Sequence, residues 1–313
     1  MMTIEKIGSA IAKIILLGEH SVVYGMPAIA IPLNEFKINT KIEYVKGDIE
    51  IISDVYNGYL KDVPEIIHPI KKIVNMILDE FKIEKKNLKF TVWGNIPYGR
   101  GMGSSAALST SIVRAMYDFF DKDLDMQTCL NWVNISEDGV HGNSSGLDAN
   151  VVVKGKPIYY IKNESFEELN MNLEGYLLIA DTGLKGKTKE AVSGVKKLLE
   201  ENPAYMKDIY KLGDLAREAK ICIQNNLLEK LGLLMDQAHD RLKNLEVSCP
   251  ELDNLVEISR QSGALGAKLT GGGRGGCMIA LFPDMEACSM ASNRLFEEGA
   301  SNIWIAYLGK LER

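Results

Sequence analysis

The sequence predicts an α+β protein of two domains, one of mixed strands and helices over residues 1–180 and one over 181–313. Three observations carry this prediction. A chain of 313 residues is long enough for one large domain or two moderate ones with a full core. Through the first half, apolar runs at strand spacing alternate with runs at helical spacing. The chain then ends in a glycine loop, a strand, a helix and a last strand, the ending of a small α+β sandwich. The boundary is expected near 180–190.

Taken in order, residues 11–17 are β-branched and apolar and predict a strand that stops at Gly18. Two further strands are expected over 27–33 and 38–45. In the second, Lys37, Asn39, Lys41 and Glu43 alternate with Ile38, Thr40, Ile42 and Tyr44, the period of a half-exposed strand. Ile66, Ile67, Ile70, Ile73, Val74, Ile77, Leu78 and Phe81 predict a helix over 65–81, and Leu88 to Trp93 is β-rich. Helices are expected over 104–120 and 125–137, and a short helix or the start of a strand over 143–153. Residues 176–181 read as a buried strand before a basic loop. From 188 to 262 the pattern is mostly helical, broken at Pro203 and Pro250. The tail follows as a glycine loop (271–276), a strand (277–282), a helix (285–298) and a strand (303–308).

Composition narrows the function. With 46% hydrophobic and 25% charged residues the chain reads as a soluble globular protein. A net charge of −6 argues against a broad nucleic-acid surface, yet leaves room for a local anion site built from amides and a few cations. The five cysteines (129, 222, 249, 277 and 288) are scattered and form no CxxC pair, which fits reduced thiols and no zinc site. Lys6 and Lys13 bracket the first apolar run, a poor signal peptide, and no run of eighteen apolar residues occurs. A cytoplasmic protein with no membrane partner is expected.

Residues 96–115 are the most informative stretch. Gly99, Gly101 and Gly103 precede Ser104, Ser105 and a helix of small residues. Glycines let the backbone approach an anion, and a helix opening behind them aims free N–H groups at it. The alternative is a glycine-rich turn with an N-cap serine. A Walker loop ends in Gly-Lys-Ser/Thr, whereas serines stand here. Gly186-Lys187-Thr188 resembles that ending, but the required first glycine falls at Asp181, so a P-loop is rejected; Thr188 remains a candidate substrate contact.

Three more groups could carry chemistry. Lys13 on its strand could neutralise a carboxylate or a developing charge, with Glu19 and His20 at the strand end contacting hydroxyls; a surface lysine and a solvated turn are the alternative. Glu137 and Asp148 flank a tight loop and could serve a metal and a general base, or be two exposed acids around a turn. His141 in that loop reads as structural. Gly271, Gly272, Gly273, Gly275 and Gly276 crowd one loop between apolar strands and could form a second anion-binding concavity.

Together these motifs resemble the GHMP kinase superfamily, named for galactokinase, homoserine kinase, mevalonate kinase and phosphomevalonate kinase. Three ordered stretches carry the resemblance across nearly the whole chain: Lys13 to Gly25, Pro97 to Ala107, and Lys268 to Cys277. The resemblance implies an N-terminal nucleotide-binding domain and a C-terminal ferredoxin-like sandwich. Gly-Glu-His, Val-Tyr-Gly, Glu137, the run to Asp148 and Thr188 look most like the mevalonate kinase branch.

Carried over residue by residue, the resemblance implies ATP-dependent phosphorylation of mevalonate to 5-phosphomevalonate. Asp148 would be the base on the 5-hydroxyl with Lys13 beside it, and Ser105 and Glu137 would hold Mg²⁺. Pro97, Tyr98, Gly99, Arg100, Gly101, Met102, Gly103, Ser104, Ser105 and Ala106 would cover ATP. Glu19, His20 and Thr188 would face mevalonate, and Gly271, Gly272 and Gly273 would line the site. The same fold also hosts phosphomevalonate and sugar kinases and a decarboxylase branch. A silent nucleotide-binding regulator is a further alternative, which the joint presence of Lys13, Ser105, Glu137 and Asp148 opposes. Two departures stand out. Ile11-Ala12 replaces the usual Pro-Gly, and Arg100 and Arg274 stand where small residues are common. An inward arginine would add a cation near phosphate and favour a more anionic substrate. Oligomeric state is not set by the sequence; a homodimer is compatible with it.

Overall fold

The structure, a computed structural model, describes residues 6–141 and 145–309. The first half runs β1 (Ile7–Leu17), β2 (Ala28–Tyr44), β3 (Glu50–Ile52), β4 (Asn57–Tyr59), α1 (His68–Glu80), β5 (Leu88–Gly94), α2 (Ser104–Phe119), α3 (Met126–His141) and α4 (Leu147–Lys154). The second runs β6 (Ile158–Ile161), β7 (Ser165–Glu168), β8 (Tyr176–Asp181), α5 (Thr188–Glu201), α6 (Met206–Gln224), α7 (Leu228–Asn244), α8 (Pro250–Gln261), β9 (Gly266–Leu269), β10 (Cys277–Phe282), α9 (Met285–Glu297) and β11 (Asn302–Tyr307).

Two compact units result, and they interleave along the chain instead of dividing it once near 180. Of the described residues, the first takes 6–13, 32–97, 103–141 and 145–155; the second takes 14–31, 98–102 and 156–309. Segment 156–180, expected with the N-terminal domain, packs in the second unit because β8 is bonded on both edges, to β10 and β11.

In the first unit, β5 pairs with β2 antiparallel (Thr40 opposite Val92, Ile42 opposite Phe90) and with β3 parallel, and β4 pairs with β3. Ile73, Val74, Ile77 and Leu78 of α1, Phe90 of β5, Ile112 and Val113 of α2 and Val133 of α3 are buried, the core that periodicity anticipates. Gly8 decides how β1 meets α2. A Cβ there would lie 2.0 Å from the carbonyl oxygen of Ser111 and 2.3 Å from the amide nitrogen of Ala115, so no larger residue fits. Arg114 of α2 donates to the carbonyls of Ser9 (2.6 Å) and Val153 (2.8 Å), tying α2 to β1 and α4. These contacts set the positions of Lys13 and Asp148.

The two strands expected over 27–33 and 38–45 are one strand, β2, of 17 residues. Residues 28–30 pair with β6 and 38–44 pair with β5. Pro32 falls between these stretches, so its missing N–H interrupts neither pairing. The segment left between helix and strand, 143–153, is helix from Leu147 onward; residues 142–144 lie outside the described residues. Pro203 and Pro250 open helical turns, where a missing N–H costs nothing.

In the second unit a four-stranded antiparallel sheet has the order β11-β8-β10-β9. Asp181, the last residue of β8, stands opposite Cys277, the first of β10. Antiparallel pairing therefore brings the loop leaving β8 beside the glycine loop that enters β10. Among the described residues, no helix is long and apolar enough to cross a membrane.

Candidate active site

In the first unit, the site grows from the end of α2 and its two neighbours. Gly103 takes a left-handed φ of 73° and lets α2 begin at Ser104, with no side-chain cap and no acidic residue in the first turn. Such an end presents backbone N–H groups and a positive dipole, suited to an anion. Just upstream in the chain, Gly99 and Gly101 also hold positive φ (71° and 82°), as a glycine-dependent loop requires. Ser105 donates to Oε1 of Glu137 at 2.6 Å, joining the first turn of α2 to α3.

Lys13 lies on β1 and is only 2% exposed; its Nζ stands 2.9 Å from Oδ1 of Asp148, on the first turn of α4. Its aliphatic stem packs on Gly103, where a Cβ would come within 2.8 Å of Cγ and 2.9 Å of Cε. The sequence thus names both members of an ion pair 135 positions apart, Lys13 and Asp148. Glu137 is buried, and burial pushes its carboxyl up to about 7; Asp148 adds to the rise, while the Ser105 hydrogen bond and Lys13 oppose it. A hydroxyl and a carboxylate beside a helix N-terminus suited to an anion form a hard-oxygen donor pair. They fit Mg²⁺, which keeps several waters and takes one or two carboxylates together with phosphate oxygens. Among the described residues, no group of three or more His, Cys, Asp or Glu could hold a metal by itself.

In the second unit, Glu19 and Lys268 form a fully buried ion pair. Lys268 also donates to the carbonyl of Leu269 at 2.6 Å. Burial lowers the Lys268 pKa and the Glu19 carboxylate opposes that fall. His20 sits at a left-handed φ of 58° and bonds the carbonyl of Gly272 through Nε2 at 3.0 Å. Burial lowers its pKa to about 4; the Gly272 bond opposes this, and the charges of Arg274 and Lys268 add to it. The ring is therefore neutral at pH 7 with its proton on Nε2, directed at that carbonyl. Thr188 opens α5 and packs on Gly272, where a Cβ would lie 2.4 Å from Oγ1. Gly271 and Gly273 hold φ of 77° each. Thr270 accepts from the amide of Ile15 (3.2 Å) and donates to its carbonyl (2.9 Å), fastening the strand that follows Lys13.

Neither arginine projects a free head group. Arg100 binds Oδ2 of Asp181 through Nε at 3.0 Å and the carbonyl of Gly183 through Nη2 at 3.0 Å; its Nη1 is buried. Arg274 donates from Nε to the carbonyl of Glu246 at 3.1 Å and reaches toward Gly194 of α5. Glu19, expected to touch a ligand hydroxyl, has no exposed surface and is held by Lys268. Tyr98 is partly exposed, with the Lys185 ammonium 5.7 Å from its ring centre, while Met102 is buried. The side chain of His141 lies outside the described residues. The sequence reading did not single out the roles of Lys268 and Asp181. The one available signal was a charged residue inside an otherwise apolar strand, in each case.

The chain is similar to known proteins over most of its length. The profile of the GHMP kinases N terminal domain matches residues 68–156, and that of the GHMP kinases C terminal matches residues 219–295. The mevalonate kinase of Pyrococcus furiosus is 35% identical over 303 residues, covering 90% of each chain. The structure of L. major mevalonate kinase in complex with R-mevalonate superimposes with a TM-score of 0.82 at 26% identity, covering 99% of this chain and 98% of that one. Mevalonate kinase from methicillin-resistant Staphylococcus aureus gives a TM-score of 0.76 at 33% identity, covering 98% of this chain and 100% of that one.

Proposed function

This chain belongs to the mevalonate kinases of the GHMP kinase family, and from that premise we propose how its residues transfer the γ-phosphoryl group of ATP to the 5-hydroxyl of (R)-mevalonate. The observation that carries the mechanism is the buried Lys13 ammonium 2.9 Å from the partly exposed Asp148 carboxylate.

The 5-oxygen bonds to the γ-phosphorus as the bond from that phosphorus to the β,γ-bridging oxygen breaks. ADP leaves with the electron pair, and Asp148 takes the hydroxyl proton. Lys13 orients Asp148 and stabilises negative charge at the attacking oxygen. The segment 97–106 and the α2 N-terminus receive the phosphates through backbone N–H groups. Positioning and electrostatics do most of the catalytic work in phosphoryl transfer. Ser105 and Glu137 would hold Mg²⁺, which when bound offsets charge on the phosphates. His20, Thr188 and Gly271 to Gly273 contact mevalonate, and Glu19 with Lys268 anchors the turn that presents His20. The engagement of Arg100 and Arg274 with protein acceptors supports the uncharged end of mevalonate over an already phosphorylated alcohol. We read the enzyme as cytoplasmic.

The test is Asp148→Asn in an ADP-release assay with mevalonate, phosphomevalonate and sugars as acceptors. The wild type turns over mevalonate selectively. The variant binds ATP but loses about 10²–10⁴-fold in kcat. Near-normal turnover by the variant would remove Asp148 as the base, and selective turnover of a different alcohol would remove the substrate assignment.

A further inference from the structure

We infer that Arg100 and Asp181 form a positioning pair that holds the segment Gly99–Gly101 in its phosphate-binding course. This rests on the reading of 97–106 as the phosphate loop. The carboxylate of Asp181, 1% exposed at the end of β8, is gripped from two sides: Arg100 Nε reaches Oδ2 at 3.0 Å, and the amide of Gly183 donates to Oδ1 at 2.9 Å. Arg100 closes the ring by donating from Nη2 to the carbonyl of Gly183 at 3.0 Å.

Backbone bonds surround this ring. Cys277 donates to the carbonyl of Arg100 (3.2 Å), Gly186 to that of Gly99 (2.8 Å) and Gly276 to that of Leu184 (2.8 Å). Three stretches therefore converge on one ion pair: the centre of the phosphate loop, the loop leaving β8 and the glycine loop entering β10. The close fit of Gly101 against Thr270 leaves no slack, since a Cβ would stand 3.0 Å from its carbonyl oxygen. A stretch with two residues at positive φ has little stiffness of its own. A planar fork held by a buried carboxylate supplies that stiffness and fixes the direction of the loop amides.

The test separates positioning from mere stabilisation. Full-length Arg100→Lys, Arg100→Met, Asp181→Asn and the double variant Arg100→Met/Asp181→Asn are compared with the wild type. The readouts are unfolding midpoint, affinity for a non-hydrolysable ATP analogue by calorimetry, and KM for ATP and for mevalonate. Arg100→Met leaves the buried Asp181 carboxylate alone, Asp181→Asn leaves the half-buried guanidinium alone, and each unfolds more easily. The double variant leaves neither charge alone and recovers its midpoint, while the carboxamide oxygen that replaces Oδ1 still accepts from Gly183. If the pair positions the loop, the double variant and Arg100→Lys keep a Kd for the analogue and a KM for ATP raised about 10–100-fold. Their KM for mevalonate stays within about twofold of the wild type.

Wild-type nucleotide affinity in the double variant would overturn the inference, as would an equal rise in both KM values. Analogue binding reads the pair even if the wild type phosphorylates no mevalonate, so failure of the reaction assignment and failure of this inference are told apart.

Discussion

Gly103→Ala is the sharpest test of how the proposed phosphate loop and Lys13, the proposed catalytic lysine, depend on each other. The new Cβ would stand 2.8 Å from Cγ and 2.9 Å from Cε of Lys13, against about 3.5–4.0 Å for an ordinary carbon contact. Because the obstacle is a side chain and not backbone, the Lys13 stem gives way, by about 1 Å. A misplacement of that size costs about 10²-fold in rate. The left-handed φ of 73° adds about 1–2 kcal/mol of backbone strain for any residue with a Cβ.

Gly99→Ala is the matched control. Its φ of 71° imposes the same strain, but its Cβ would meet only Lys185 Cγ at 3.8 Å. Both variants should lose about 1–2 kcal/mol in urea unfolding. Only Gly103→Ala should lose about 10²-fold in kcat at saturating ATP and mevalonate, measured by ADP release. A kcat for Gly103→Ala within about threefold of that for Gly99→Ala would refute the coupling of loop backbone to Lys13.

Two further predictions concern the second unit. Lys268→Met strands the buried Glu19 carboxylate and should cost about 3–5 kcal/mol in urea unfolding, most of it restored by adding Glu19→Gln; no restoration would mean that the packing of Lys268, not its charge, matters. His20 has a folded pKa of about 4, below its unfolded value of 6.5, so its contribution is present above pH 6.5 and lost as pH falls toward 4. Urea midpoints at pH 7 and pH 5 should therefore differ less in His20→Asn than in the wild type, and an unchanged difference would exclude His20 as a source of acid lability.

Much of the fold was legible because local chemistry decides it. The apolar face of α1, the β-branched run of β1, the apolar run of β8 and the glycine-to-serine start of α2 carry their own local signals. What escaped was short or non-local. β6 and β7 are four residues each, turning at Asn163 in a left-handed conformation, too brief for alternation to register. β2 looked like two strands because Asn34 to Lys37 separate two patterned runs whose pairing partners lie elsewhere in the chain.

The candidate site divides in the same way. Lys13, Gly103, Ser105, Glu137 and Asp148 could be named from the sequence because each residue type suits its chemistry wherever it stands. The sequence also left open whether Arg100 and Arg274 point toward phosphate; the fold answers by giving each a protein acceptor. Glu19 was read from the sequence as a candidate ligand contact but not as half of a buried ion pair, since Lys268 lies 249 positions away. Residue type and local spacing determine which groups are available and which backbone turns are allowed. Partner, burial and charge state depend on which distant segments the sheets bring together, and only the tertiary structure decides that.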